Sequence, residues 1–204
     1  MSQKWKILCI GNSHTAGFPH FDPSYGGNPE SSYEYWLNQL LIEELPNLNF
    51  ILYNEGVCGQ TTREINSRLK IALKHLNYNL VIYWGGANDI ALGYSPSKIW
   101  KNIWNAFEAI KENSTQCMLV TIPPMNWPGI DIQVLSINRK IKNAPIQPDT
   151  YIIAEVYEVL EKKSNLNPLY DAGDGVHLSV EGYKCVGETI FRGLAKYFTD
   201  KQKT

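Results

Sequence analysis

The chain has 204 residues, 44% of them hydrophobic and 19% charged, with a formal net charge of -1; residues 1–204 read as one soluble globular domain with its own core, without room for a second full-sized one. Nineteen Lys and Arg against twenty Asp and Glu, scattered rather than clustered, leave no basic stripe to neutralise phosphates, which argues against a nucleic-acid partner. No apolar run reaches the roughly 18 to 20 residues of a bilayer span, and the N-terminus offers only a short apolar stretch before Gly11, so neither a membrane helix nor a signal peptide is read.

Short apolar runs rich in β-branched residues alternate with stretches of helical periodicity along the chain. The first strand is expected over residues 6–10, followed by Gly11-Asn12-Ser13-His14-Thr15 and a helix over 32–45. A second strand over 49–53 leads through Asn54 to Thr62 into a helix over 62–76. A third over 80–84 is followed by Gly85-Gly86-Ala87-Asn88-Asp89 and a helix over 97–113, for which Ser97 is a candidate cap. A fourth strand is expected over 118–122 with a helix over 130–142. The fifth, over 151–154, is followed at a distance by Asp171 to Ser179 and a terminal helix over 180–198 with Ser179 at its start. Asp200 to Thr204 read as a loose tail.

Strands buried on both faces and separated by helices require a parallel sheet with right-handed crossovers, because parallel neighbours cannot be joined by a tight hairpin. The expected class is therefore α/β, a three-layer α/β/α sandwich. Ligand sites in such sheets lie outside the carboxyl ends of the strands. The glycine-rich polar segments after the strands all fall at that edge.

Those segments carry a recognisable chemistry. A serine hydroxyl needs a base to take its proton, and the base needs an acceptor to fix its tautomer. Ser13, His177 and Asp174 are the candidates for these three roles, and one turn of chain separates Asp174 from His177. Asp171 is a second candidate acid. A tetrahedral intermediate also requires donors aimed at its oxyanion, for which the N–H of Ser13, the N–H of Gly59 and the amide of Asn88 are available. Gly56 and Gly59 both qualify as turn glycines at that position.

Cys9, Cys58, Cys117 and Cys185 lie far apart without a C-x-x-C pair, which points to free buried thiols and, with no signal peptide, to the cytoplasm. His14, His20 and His75 have no ligand spacing, so no metal and no cofactor is expected.

In these residues the sequence resembles the SGNH hydrolases, the group that contains the GDSL lipases and esterases. The four blocks of that superfamily are matched in order by Gly11-Asn12-Ser13, by Gly59-Gln60-Thr61-Thr62, by Gly86-Ala87-Asn88-Asp89 and by Asp174-Gly175-Val176-His177, across residues 6 to about 190. The resemblance implies a flavodoxin-like five-stranded sheet and metal-free hydrolysis of esters or thioesters through an acyl-serine. It favours Gly59 over Gly56 through its Gly-x-Thr/Ser pattern, and Asp174 over Asp171 through D-x-x-H. Two positions depart from it: Asn12 stands where Asp is usual, and His14 where Leu often follows.

Tyr25, Trp84 and Trp127 follow or end strands and are expected to rim the substrate site. Loops without a large lid favour a small-molecule substrate, a short acyl ester or an acetylated carbohydrate. Two other readings compete. One is a flavodoxin-like module whose loop Asn12 to Gly17 cradles phosphate, which leaves Asp174 and His177 without a task. The other is a degenerate, carbohydrate-binding relative marked by Asn12.

Overall fold

The computed structural model describes residues 4–144 and 151–201, with side chains through Phe198. Five strands, β1 (Lys4–Gly11), β2 (Asn49–Gly56), β3 (Leu80–Trp84), β4 (Gln116–Val120) and β5 (Tyr151–Ala154), form a sheet in the order β2-β1-β3-β4-β5, parallel throughout. This is the flavodoxin-like order, in which the connection direction reverses between β1 and β3.

Alternation along each strand divides the core. Leu8, Ile10, Val81, Tyr83 and Leu119 face one side of the sheet, while Ile7, Cys9, Ile82, Trp84, Met118 and Val120 face the other. On the first side lie α3 (Thr62–His75), α5 (Pro96–Glu112) and α6 (Asp131–Lys142), which contribute buried Ile65, Leu69, Ile99, Ile103, Phe107 and Ile137. The second side is covered by α2 (Tyr33–Glu44) and α8 (Val180–Lys201) through Leu37, Leu41, Tyr183, Val186 and Ile190. Full burial stabilises each such side chain by roughly 1.5–3 kcal/mol, and the spacing of three or four residues keeps each apolar stripe on one helix face. The result is the three-layer α/β/α arrangement that the alternation of elements demands.

Local chemistry sets the helix boundaries. Glu64 accepts from both the N–H and the hydroxyl of Thr61, at 2.8 and 2.7 Å, closing the start of α3. Ser179 accepts from Gly182 N–H at 3.2 Å at the start of α8, as the sequence suggests. For α5 the expected cap is corrected: Ser95, not Ser97, receives the Lys98 N–H, and Pro96 occupies the first helical turn. β4 runs from Gln116 to Val120 rather than to Ile122. Ile122 instead exchanges two 2.8 Å hydrogen bonds with the Asn138 side chain.

Short elements escaped the sequence reading: α1 (Ser13–Ala16), α4 (Ala87–Ala91) and α7 (Val156–Leu160). Two hairpins of two-residue strands, Phe21–Asp22 with Gly26–Gly27 and Glu161–Lys162 with Asn165–Leu166, and a 3-10 turn at Pro29–Ser31 complete the described structure. Of the expected tail, the backbone of α8 continues to Lys201, and residues 202–204 lie outside the described part. All four thiols are free, but only Cys9 and Cys117 are buried as expected; Cys185 is partly buried and Cys58 is exposed.

Gly56 at the end of β2 packs directly against α1. A Cβ there would collide with the backbone nitrogen and Cα of Ala16, and backbone cannot swing aside as a side chain can. Gly56→Ala should therefore cost about 3 kcal/mol or more of stability, read as a lower urea midpoint; an unchanged midpoint would contradict this packing.

Candidate active site

The turn that carries Ser13 follows from the end of β1. A side chain on Gly11 would meet Thr15 and the Trp84 carbonyl, so glycine lets the strand pass straight into α1. The Asn12 side-chain oxygen accepts from His14 N–H at 3.1 Å, and its carbonyl accepts from Thr15 and Ala16 N–H at 3.1 and 2.9 Å. Gly17, at φ 99°, closes the helix with its N–H on Ser13 O. Capping requires only a side-chain oxygen, which Asn supplies as well as Asp. The departure at Asn12 therefore leaves the turn intact.

Ser13 meets the loop before α8 across the sheet edge. Its hydroxyl lies 3.1 Å from His177 Nε2, and His177 Nδ1 lies 2.6 Å from Asp174 Oδ2. The other Asp174 oxygen accepts the N–H groups of Val176 and His177 at 2.9 and 2.8 Å. Burial alone would raise the Asp174 pKa, but hydrogen bonds from the His177 ring and these two amides bring it down to about 2. An ionised carboxylate at Nδ1 holds the proton there and leaves Nε2 as an acceptor for the serine hydroxyl. Asp171 lies elsewhere in the loop, where one oxygen accepts from Gly173 and Gly175 N–H.

The other two blocks converge on Gln60. Asn88 donates one amide hydrogen to Gln60 O at 2.9 Å, which leaves its second N–H unspent. Asp89, fully buried, accepts from the N–H and hydroxyl of Thr62 at 2.8 and 2.6 Å and so ties the Asn88 segment to the start of α3. Gly59 takes φ 78° and is exposed. Neither its N–H nor that of Ser13 finds an acceptor among the described residues. Gly56, by contrast, is a buried packing glycine.

The three aromatics expected at the rim separate. Trp84 does not line a site: it is 1% exposed, donates its indole N–H to Thr121 O at 3.0 Å and packs against Tyr33 and His14. The residue belongs to the inner face of the sheet. Tyr25 stands at a hairpin tip, 93% exposed, and no ring contact ties it to the Ser13 region. Trp127 is partly exposed next to Asn126, whose N–H donates to Gly175 O at 2.7 Å. The aromatic beside the histidine is one that the sequence reading missed: Phe18 packs edge-on to His177, with ring centroids 4.5 Å apart.

His14 was also missed as a functional neighbour, because its partner lies far along the chain. Its buried ring donates from Nε2 to Val176 O at 2.9 Å, bracing the peptide just before His177, and its centroid lies 5.6 Å from that of His177. Burial outweighs this hydrogen bond and lowers the His14 pKa to about 4, so the ring stays neutral beside the catalytic candidates. No group of three or more His, Cys, Asp and Glu among the described residues is arranged to hold a metal ion.

A pH dependence of stability follows. Between pH 6.5 and about 4 the unfolded chain protonates His14 while the folded chain does not, so stability falls on acidification, by on the order of 3 kcal/mol over the window. Glu34 acts with the opposite sign. Burial raises its carboxyl from 4.5 to about 8, so the folded chain keeps a proton that the unfolded chain loses, and stability falls as pH rises through that range. His14→Gln should flatten the acid-side loss in urea unfolding, and Glu34→Gln the alkaline-side loss; curves parallel to wild type would contradict these assignments.

Comparison with known proteins places the chain in a family. The model of the GDSL-like Lipase/Acylhydrolase family matches residues 9–185. An arylesterase of Vibrio mimicus is 24% identical over 195 residues, covering 94% of this chain and 89% of the relative. Among solved structures, a GDSL-like lipase from Bacteroides thetaiotaomicron aligns with a TM-score of 0.70 at 23% identity, over 94% of this chain and 88% of its own. An acetyl esterase, as a serine-to-alanine variant with an acetate ion, aligns with a TM-score of 0.72 at 16% identity, over 96% and 99%. These structural likenesses carry the fold, while the family match spans the turn of Ser13, the Gln60 convergence and the loop of His177. The chain belongs to the GDSL-like Lipase/Acylhydrolase family and is a carboxylic-ester hydrolase.

Proposed function

We propose that Ser13 is the nucleophile of a two-step ester hydrolysis. Its Oγ attacks the ester carbonyl as His177 Nε2 takes the hydroxyl proton, and the bond to the alkoxy group breaks as His177 returns that proton to the leaving alcohol. Water then attacks the acyl-serine, His177 again accepting a proton and then restoring it to Ser13. Asp174 remains ionised throughout and holds His177 in the tautomer that leaves Nε2 free. The N–H groups of Ser13 and Gly59 and the spare N–H of Asn88 stabilise the oxyanion.

One observation carries this reading: the continuous line from Ser13 Oγ through His177 to Asp174, at 3.1 and 2.6 Å. The two competing readings fare worse. In the loop Asn12 to Gly17 the amides of His14, Thr15, Ala16 and Gly17 are already bonded within the turn, which leaves few donors for a phosphate. A degenerate relative would be expected to have lost the serine turn, yet Asn12 caps it.

For the substrate we favour short acyl groups, acetyl above all, on neutral alcohols or sugars. Support comes from the apolar ring of Phe18, which stands edge-on beside His177, and from the likeness to an acetyl esterase with acetate. Turnover of p-nitrophenyl esters should fall from acetate to butyrate to octanoate. Ser13→Ala should lose at least about 10³-fold in kcat, and Asn88→Ala about 10²–10³-fold, as for a lost oxyanion donor. Undiminished turnover by a folded Ser13→Ala variant would overturn the mechanism, and faster octanoate hydrolysis would overturn the acyl preference.

A further inference from the structure

We propose that Arg68, which belongs to none of the four sequence blocks, is the positioning residue that sets the oxyanion donors; the inference rests on the roles given above to Ser13, Gly59 and Asn88. Arg68 lies one and a half turns into α3 and reaches back to the sheet edge with its side chain 23% exposed. Its guanidinium serves three acceptors at once. Nη2 donates to Gly11 O at 3.0 Å, Nη1 to Glu55 O at 2.7 Å and Nε to Gln60 Oε1 at 2.8 Å.

Each acceptor lies beside a separate part of the site. Gly11 is two residues before Ser13. Glu55 is the penultimate residue of β2, and the turn that follows is anchored to the same Gly11 carbonyl by Val57 N–H at 3.2 Å. Gln60 adjoins Gly59, and its carbonyl is the acceptor that fixes Asn88 Nδ2. One rigid fork therefore spans the serine turn and the glycine loop directly, and reaches the asparagine amide through Gln60.

The geometry demands arginine. A guanidinium presents five N–H donors in a fixed plane, whereas the lysine ammonium is a point charge on a flexible stem and cannot hold three separated acceptors in register. Removal of the fork would free the Gln60 side chain and take one donor from each of two strand-end carbonyls, leaving Gly11 O with the Val57 N–H to anchor the loop. Donors that drift by about an ångström lose much of their effect on a transition state while substrate still binds.

The test is a double-mutant cycle between Arg68→Met and Asn88→Ala on p-nitrophenyl acetate. Rates are expressed per active site, titrated to completion with a phosphonate ester so that only folded, reactive protein is counted. Arg68→Met should lower kcat about 10- to 100-fold and change KM by less than about threefold. In that background Asn88→Ala should cost at least about tenfold less than its cost of about 10²–10³ in the wild type, with the double variant no faster than Asn88→Ala alone. Arg68→Lys should behave as Arg68→Met does, and it supplies the same cycle where the methionine variant yields no titratable sites. Independent, multiplying losses in the double variant, or wild-type kcat in Arg68→Lys, would overturn the positioning role. Persistent turnover in Ser13→Ala would instead show that the reading of the site itself is at fault.

Discussion

The registration of β1 with its two neighbours sets Gly11 opposite Gly56 on one side and Trp84 on the other, and the rest of the site depends on it. The central strand ends level with both flanking strands, so the segments that leave all three emerge at one height. Glycine at the two positions nearest α1 lets the serine turn lie directly on the strand ends. The same level ending allows a guanidinium from α3 to touch carbonyls of β1 and β2 together. A slip of one residue would reverse the faces of β1, exchanging the apolar sets on its two sides. Site geometry and core packing are in this sense one constraint.

On that base the electrostatics are simple. One carboxylate, Asp174, is held ionised by three hydrogen bonds and fixes one imidazole. A second imidazole, His14, is kept neutral by burial 5.6 Å from the first, where a positive charge would oppose formation of the His177 imidazolium. It still performs mechanical work as a donor to Val176 O. The two positions at which the chain departs from the usual superfamily pattern therefore have physical explanations: Asn12 conserves a cap, and His14 adds a brace between the serine turn and the histidine loop.

How much of this is legible in the sequence depends on the range of the interaction. The five strands announce themselves as short apolar runs and the five long helices through a periodicity of three to four, and their order dictates a parallel sheet. The four blocks are legible because each stands at a strand end or a helix start. The environment of a strand residue buried on both sides is not legible in this way. Trp84 ends an apolar run whose every residue is buried, and only the register shows that its alternation points it beneath the site rather than toward a ligand. Ser95-Pro96-Ser97 offers two caps, and Pro96 in the first turn decides between them. Phe18 and His14 act on His177 and Val176, and Arg68 ties its own helix back to Gly11, across 57 to 162 residues, a separation that no local pattern encodes.

The central claim is that ester hydrolysis passes through a covalent bond to Ser13. Acid quenching of the enzyme during turnover of p-nitrophenyl acetate, followed by peptide mapping with mass spectrometry, tests it most directly. The account predicts a single acetyl group on the peptide that contains Ser13, formed within the first turnover and cleared as substrate is exhausted. Acetylation confined to another residue during turnover at the wild-type rate would contradict it.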